Sequence, residues 1–182
     1  RLAFSGNRDD LFFKRDLFAN SYFLGSSFIA VKVGENWQFF SPAEKYTEFG
    51  MLGWPEENQD ALVLDPKGPL WVSTPLSGPE KSLEKRTGKF RLLEDGTLEG
   101  DVQIEYTGHL GFDKKEYNDD DSPSQREDTL KSLVKKHLST AELSEIKIEN
   151  VTDPLKPFTY SFHVRVPGYA QRTGKRLFFQ PG

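Results

Sequence analysis

Apolar and polar residues alternate most clearly in the second half of the chain. Between residues 158 and 166 an aromatic or β-branched residue occupies every second position, and residues 98–106 show a similar alternation. A period of two places successive side chains on opposite faces of a strand, so both segments predict strands with one buried and one solvated face. Asp95 and Gly96 tolerate positive φ and predict a hairpin that joins 98–106 to residues 89–92. Gly100 falls on the apolar side of this pattern, where it predicts a β-bulge.

The first half contains shorter apolar runs separated by turn residues. The predicted strands there are 1–4, 28–33, 37–40, 61–64 and 70–74. Gly34 opens the turn between the second and third of these strands, and Pro42 ends the third because proline cannot donate to a ladder. Residues 42–60 are rich in glycine, proline and polar residues and predict a long loop.

A Pro- and Gly-rich segment marks the predicted domain boundary. Pro75, Ser77, Gly78 and Pro79 follow one another closely, and no other segment of the chain reads as clearly as a linker. We therefore expect one domain over residues 1–76 and a second over residues 80–182.

One helix is predicted near residues 122–138. Ser122, Pro123 and Gln125 form the pattern of a capping box with proline in the first turn. Apolar residues then recur at helical spacing, at Leu130, Leu133, Val134 and Leu138, and predict a stripe that packs on the sheet. The preceding residues 113–121 are acidic and predict a solvated loop. The fold class expected from these patterns is mostly β (α+β), with an antiparallel β-sandwich and one amphipathic helix in the second domain.

Charge and composition narrow the possible functions. The formal net charge is −4 and no basic block occurs, so the electrostatic signature of nucleic-acid binding is absent. No apolar run approaches the roughly 20 residues that a membrane-spanning helix needs. The chain contains no cysteine, which excludes disulfides, thiolate metal sites and cysteine nucleophiles within these residues.

Other candidate sites have weak support. His109, His137 and His163 fall in different predicted elements and lack metal-ligand spacing. The composition permits a Ser-His-Asp triad, but the sequence contains no Gly-x-Ser-x-Gly elbow. Asp119, Asp120 and Asp121 are the calcium candidates, and they lack the glycine and distal glutamate of an EF-hand loop, which favours a solvated acidic loop. We therefore expect no metal and no cofactor.

Aromatic residues in the long loop admit two interpretations. The set comprises Tyr46, Phe49, Met51, Leu52 and Trp54. It could form a carbohydrate or peptide platform, or it could cover the edge of a sheet, which is the more common role of such residues.

The segment 28–41, FIAVKVGENWQFFS, is followed by Pro42, Lys45-Tyr46 and Phe49-Gly50. It resembles the end of the catalytic core in bacterial transglutaminase-like proteins, where a histidine opens the first strand and an Asp-Pro pair closes the second. The segments Thr74-Pro75-Leu76-Ser77 and 95–100, DGTLEG, resemble the region that joins this core to a C-terminal β-sandwich of unknown function. The resemblance implies that residues 1–76 are remaining strands of a transglutaminase-like core.

The family uses a papain-like triad, in which a cysteine attacks a carbonyl, a histidine transfers the proton and an aspartate orients the histidine. By resemblance, the histidine position falls at Ser27, or at Ser26 if the register shifts by one, and the aspartate position falls at Ser41. A serine hydroxyl neither exchanges a proton near neutral pH nor carries the charge that stabilises an imidazolium. The cysteine would lie upstream of Arg1. The resemblance therefore implies a degenerate site and no enzymatic activity in this chain.

Three functions remain open from the sequence. The first is a non-catalytic binding or scaffold module of a bacterial periplasmic or extracellular transglutaminase-like protein. The second is a fragment of an active cysteine-dependent transglutaminase or peptidase whose nucleophile lies upstream. The third is a structural protein that self-associates through strand edges. The expected partner is accordingly a protein or peptide, a second copy of the chain, or an upstream part of the same parent chain.

Overall fold

The computed structural model describes residues 1–9, 15 and 21–179 as two compact units. The first unit comprises residues 1–82 and the second residues 83–182, so the division lies just after the predicted linker. The fold class predicted from the sequence is confirmed, because antiparallel sheets dominate both units and a helix packs on the second sheet.

The first unit is built on a five-stranded antiparallel sheet. Its strands are β1 (Leu2–Ser5), β2 (Ser26–Val33), β3 (Asn36–Phe40), β4 (Asp60–Asp65) and β5 (Gly68–Ser73). They lie in the order β3-β2-β1-β4-β5, and each neighbouring pair is antiparallel. The two hairpins predicted from the sequence, β2-β3 and β4-β5, therefore flank β1, which lies at the centre of the sheet.

One face of this sheet carries the core of the first unit. The buried strand residues are mainly small or aromatic, and they are Ala3, Phe28, Ala30, Phe39, Ala61 and Val63. Leu52 from the loop packs against them. Small residues in β1 and β4 leave room for the Phe28 and Phe39 rings, whose centroids lie 5.7 Å apart in an edge-on arrangement. The loop after β3 therefore supplies part of the layer that covers this face.

The second unit is built on a four-stranded antiparallel sheet. Its strands are β6 (Glu84–Leu92), β7 (Leu98–Tyr106), β8 (Glu142–Glu149) and β9 (Phe158–Val166), in the order β6-β7-β9-β8. Two helices, α1 (Gly108–Asn118) and α2 (Pro123–His137), connect β7 to β8. A short hairpin, β10 (Ala170–Thr173) and β11 (Arg176–Phe179), follows β9.

The buried face of this sheet follows the predicted alternation. Every second residue of β9, from Phe158 to Val166, belongs to the core, together with Tyr106 and Leu130. The other face is polar, and its charged side chains pair across the strands: Lys85 with Glu105 (3.6 Å), Arg165 with Glu142 (3.2 Å) and Arg91 with Glu99. The sheet therefore has one dry face and one solvated face.

The bulge predicted at Gly100 does not occur. Gly100 pairs in regular register with Phe90, and a Cβ at this position would lie 2.8 Å from the Phe90 ring and 2.1 Å from the Lys89 carbonyl oxygen. Glycine is needed there because a side chain would collide with the backbone of the neighbouring strand, above all with the Lys89 carbonyl oxygen. The irregularity in this sheet lies instead in β8, between Ser144 and Lys147.

The prediction of an acidic loop over residues 113–121 was wrong, because helix α1 extends to Asn118. Its buried residues, Gly108, Gly111, Lys115 and Asn118, recur at helical spacing but are glycine or polar. Gly111 lies where a Cβ would be 2.9 Å from the Tyr106 carbonyl oxygen, so the helix approaches the strand closely. An apolar stripe is absent from α1, and hydrophobic periodicity could not reveal the helix.

Helix α2 begins where the sequence predicts. The backbone N–H of Gln125 donates to Ser122 Oγ (3.3 Å) and the backbone N–H of Ser122 donates to Gln125 Oε1 (2.8 Å), which completes the capping box. Leu130 is buried and Val134 and Leu138 pack against the core. Leu133, however, is 39% exposed and lies at the margin of the stripe.

Truncation of the α2 stripe should affect stability in proportion to burial. We predict that Leu130→Ala lowers the free energy of unfolding by about 2–5 kcal/mol, because it removes buried surface and leaves a cavity. Leu133→Ala should cost no more than about 1 kcal/mol, and Ser122→Ala about 0.5–2 kcal/mol through the lost cap. Urea titration of the three variants measures these changes. A loss at Leu133 equal to that at Leu130 would contradict the buried face assigned to the helix.

Candidate functional site

Ser26 and Ser41 lie on the buried face of the first sheet, whereas Ser27 lies on the opposite face. Ser26 is opposite Ser5 in the ladder and precedes buried Phe28 by two residues, so its side chain shares their face. Ser41 follows buried Phe39 by two residues and is itself buried. Ser27 is exposed on the opposite face. Of the two serines considered for the histidine position, only Ser26 therefore lies on the face of Ser41.

A buried carboxylate lies at this end of the sheet. Glu56 is 9% exposed, and its Oε2 atom accepts hydrogen bonds from the Ser41 hydroxyl (2.9 Å) and the Gly53 backbone N–H (3.2 Å). The Ser26 side chain lies close enough to this carboxyl to lower its pKa. Glu56 thus binds Ser41, which stands at the position expected for the aspartate, and lies near Ser26, the alternative to Ser27 for the histidine position.

The local sequence explains why Glu56 points inward. Residues Trp54–Glu56 form a single 3-10 turn, which Pro55 favours through its fixed φ. The Glu56 carboxylate caps this turn by accepting from Gly53, and the Glu56 carbonyl oxygen accepts from the Thr74 hydroxyl (2.7 Å). The backbone and the side chain of Glu56 are therefore fixed by separate hydrogen bonds.

Burial raises the pKa of Glu56 above its ordinary value, because removal from water disfavours the charged form. Hydrogen bonds from Ser41 and Gly53 act in the opposite direction, the negative charge of Glu44 raises the pKa further, and Ser26 lowers it. A raised pKa is common in catalytic carboxyls but also occurs in structural networks. Access to the carboxyl decides between these cases, and here it is buried and already hydrogen-bonded.

The chemistry available at this cluster is limited. Residues 1–82 contain neither histidine nor cysteine, so no side chain there transfers protons near neutral pH in the manner of an imidazole. Ser41 donates a hydrogen bond to Glu56, and both side chains are buried. The arrangement holds the loop after β3 on the sheet.

The neighbouring Glu57 has a similar structural role. It is 1% exposed, its Oε1 atom accepts from the Ser77 hydroxyl (2.6 Å), and its Oε2 atom accepts from the Ser77 backbone N–H (3.0 Å). The two consecutive glutamates thus hold the loop in two directions, Glu56 toward the sheet and Glu57 toward the segment after β5.

The calcium candidates Asp119, Asp120 and Asp121 form the link between α1 and α2. Asp119 is the C-cap of α1, and Arg126 donates to the carbonyl oxygens of Asn118 (2.7 Å) and Asp119 (3.2 Å). Nowhere in the described residues do three or more His, Cys, Asp or Glu side chains gather as a metal would require. The link is held by hydrogen bonds from the Arg126 side chain to these backbone carbonyl oxygens.

His163 lies in a shallow groove on the solvated face of the second sheet. The groove has a volume of about 380 Å³, and its polar lining includes Thr87, Lys89, Gln103, Lys147 and Ser161. His163 Nδ1 lies 2.8 Å from Asp101 Oδ1. Ser144 is opposite His163 in the ladder, but no hydrogen bond joins their side chains in the described part of the chain. Within the described residues, the Ser144–His163 pair therefore lacks the contact between nucleophile and base that a triad needs.

The aromatic set of the long loop divides into two groups. Tyr46, Met51 and Leu52 are buried, as expected for residues that cover a sheet. Phe49 is 86% exposed, although its ring lies tilted against that of Phe40 with centroids 4.8 Å apart. Trp54 carries the Arg8 guanidinium 3.8 Å from its ring centroid. The set as a whole is not a platform, because three of its members are core residues.

Comparison with known proteins gives no further assignment. The chain matches no protein-family model, no curated protein and no solved structure. The transglutaminase-like resemblance therefore stays a prediction. A separate search of the described helices found none with the length and apolar character needed to cross a membrane.

The raised pKa of Glu56 gives a prediction about pH. The folded state binds the proton of the Glu56 carboxyl more tightly than the unfolded state does, so ionised Glu56 destabilises the fold. This destabilisation disappears as pH falls through the raised pKa. We predict that the free energy of unfolding of the parent chain rises relative to that of Glu56→Gln as pH is lowered from neutral toward 4.5. Urea titrations of both chains over this range measure the difference.

Asp65 provides the matched control. The pKa of Asp65 is lowered, first by the hydrogen bond from the Lys67 backbone N–H and then by Arg1. Ionised Asp65 therefore stabilises the fold above pH 3.8, and this stabilisation is lost as pH falls below that value. The parent chain should therefore lose stability relative to Asp65→Asn in acid. A change of the same sign for both pairs would show that general acid unfolding, and not the individual carboxyls, determines the result.

Proposed function

We propose that this chain is a non-catalytic binding or scaffold module, derived from a transglutaminase-like core whose catalytic residues have been replaced. The observation that carries the proposal is the cluster of Ser41, Glu56 and Ser26. By resemblance Ser41 stands at the aspartate position and Ser26 is the alternative to Ser27 for the histidine position. The buried Glu56 carboxylate accepts a hydrogen bond from Ser41, and Ser26 lowers its pKa.

The network supports loss of function in two ways. First, Ser41 donates to Glu56, so the hydroxyl that stands at the aspartate position binds a carboxylate in place of an imidazolium. Second, Glu56 is held by Gly53 as well as Ser41, and releasing it would expose a buried, hydrogen-bonded group. A substrate carbonyl would have to displace the loop that carries Glu56.

A binding role has separate support in the exposed apolar residues of the first sheet. Leu2, Val31 and Leu64 are 44, 41 and 47% exposed and lie on the face opposite Ser26. Contiguous apolar surface of this kind is typical of interaction sites. The partner class that we propose is a protein or peptide, and the bacterial periplasmic or extracellular location rests on the resemblance alone.

The proposal predicts that the two serines are structural and that the chain has no acyl-transfer activity. The purified chain should not turn over a glutamine donor with an amine acceptor, and it should not hydrolyse an amide. Ser41→Ala should lower the free energy of unfolding by about 1–3 kcal/mol, because a buried carboxyl loses a donor. Ser27→Ala, on the solvated face, should change it by no more than about 0.5 kcal/mol.

Turnover assays and urea titrations on the same preparations test both parts. Activity that disappears in Ser41→Ala or Ser26→Ala would overturn the proposal. Equal stability of the Ser41→Ala and Ser27→Ala variants would remove the structural role on which it depends.

A further inference from the structure

In the described part of the chain, the hairpin β10-β11 is attached to the second unit at its base. Ala170 is buried, and its backbone N–H donates to the Gly96 carbonyl oxygen (2.8 Å). The Tyr169 and Phe179 rings stack with centroids 6.1 Å apart. Every residue from 171 to 179 is exposed. The hairpin is therefore a two-stranded ribbon whose outer part is exposed, and such ribbons are marginally stable alone.

The charges of the hairpin are unbalanced. Arg172, Lys175 and Arg176 lie at its tip, and residues 167–182 contain no aspartate or glutamate. None of the three cations forms an ion pair within the described residues, and Arg172 Nε donates only to the Gly174 carbonyl oxygen (3.1 Å). On the solvated face of the four-stranded sheet, in contrast, Lys85 and Arg165 pair with glutamates. The hairpin thus concentrates unpaired positive charge in a chain of net charge −4.

The hairpin also exposes large apolar side chains. Leu177, Phe178 and Phe179 are 38, 57 and 54% exposed. Cross-strand pairing places Leu177 opposite Arg172 and Phe178 opposite Gln171, so apolar residues lie on both faces of the ribbon. Neither β10 nor β11 pairs with a further strand in the described residues. The outer edge of such a ribbon presents unpaired backbone groups that can accept another strand.

We propose that the β10-β11 hairpin is the docking arm of this module and that it binds an extended acidic segment of a partner protein by strand addition. Carboxylates of the partner meet Arg172, Lys175 and Arg176, its backbone pairs with a free edge of the ribbon, and its apolar side chains contact Leu177 and Phe178. This inference names the partner of the binding role proposed above and rests on that role, but it does not depend on the loss of the triad.

The geometry favours a peptide strand over an anionic membrane surface. An element that lies in a membrane interface needs its apolar residues on one face and its cations on the other. In this hairpin both faces are mixed, and the cations occupy the tip, which would enter the membrane first. Strand addition requires only a free edge and alternating side chains, and the hairpin has both.

The test uses the full chain and a fluorescein-labelled peptide of alternating glutamate and valine. Fluorescence anisotropy should show binding that weakens as salt concentration rises, because exposed charges are screened. The triple variant Arg172→Glu/Lys175→Glu/Arg176→Glu should weaken binding at least about a hundredfold. Phe178→Ser, which retains all three cations, should weaken it about tenfold. Circular dichroism and the urea midpoint confirm that both variants remain folded, as expected for substitutions at exposed positions.

Matched controls make the outcome decisive. The variant Lys32→Glu/Lys135→Glu/Lys136→Glu changes the net charge by the same amount at exposed lysines elsewhere, and it should bind the peptide as the parent chain does. A peptide in which lysine replaces glutamate should not bind. Absence of binding by the parent chain, or equal weakening in both triple variants, would overturn the inference. Hairpin-dependent binding to phosphatidylglycerol vesicles without binding to the peptide would also overturn it, in favour of a membrane surface.

The two proposals can fail separately. Acyl-transfer activity of the purified chain would overturn the non-catalytic assignment and leave peptide binding by the hairpin unaffected. Loss of peptide binding with no turnover would overturn only the docking arm.

Discussion

A carboxylate removed from water must be hydrogen-bonded, and in the first unit this requirement fixes how the loop after β3 closes on the sheet. Glu56 meets it with donors from Ser41 and Gly53. The loop that carries Glu56 also carries Leu52, which covers the small residues of the sheet. Apolar packing and the polar network therefore support one another, since neither would be formed if the loop lay elsewhere.

The serines acquire a different meaning in this setting. In a triad, the aspartate supplies negative charge to an imidazole and the histidine moves a proton. Here the negative charge belongs to Glu56, and Ser41 is a donor to it, so the direction of hydrogen bonding is reversed at Ser41. A histidine at Ser26 and an aspartate at Ser41 would place a second carboxylate beside a buried one. Such a pair repels, and one member becomes protonated or leaves the site. The surroundings of Glu56 therefore do not suit a histidine–aspartate pair at these two positions.

Sequence patterns predicted those parts of the fold that local rules determine. The alternation of 158–166, the turn at Asp95-Gly96 and the capping box at Ser122 each depend on neighbours within a few residues, and all three are present. Helix α1 was missed because its buried face consists of glycine and polar residues that only tertiary contacts explain. Glu56 was missed for a related reason. A Pro-Glu-Glu turn in a loop is expected to be solvated, and only the fold shows that serines of the sheet face it. The pairing of Ser26 with Ser5 across the ladder supplies that information, and no local pattern contains it.

The distribution of paired and unpaired charge separates structural surfaces from surfaces available to a partner. Along the solvated face of the four-stranded sheet, cations lie opposite anions, so a charged partner would have to compete with existing pairs such as Arg165 and Glu142. The groove that contains His163 lies on this face, and its histidine already contacts an anionic residue, Asp101. The β10-β11 hairpin, in contrast, contains no acidic residue. A basic ribbon of this kind also contributes little to the stability of the fold that carries it. Unpaired cations in an acidic chain raise association rates with acidic partners by long-range attraction, an effect that paired charges largely cancel. The cations of the hairpin therefore have a physical explanation if the hairpin is a contact surface, and they have none if it is only a structural element.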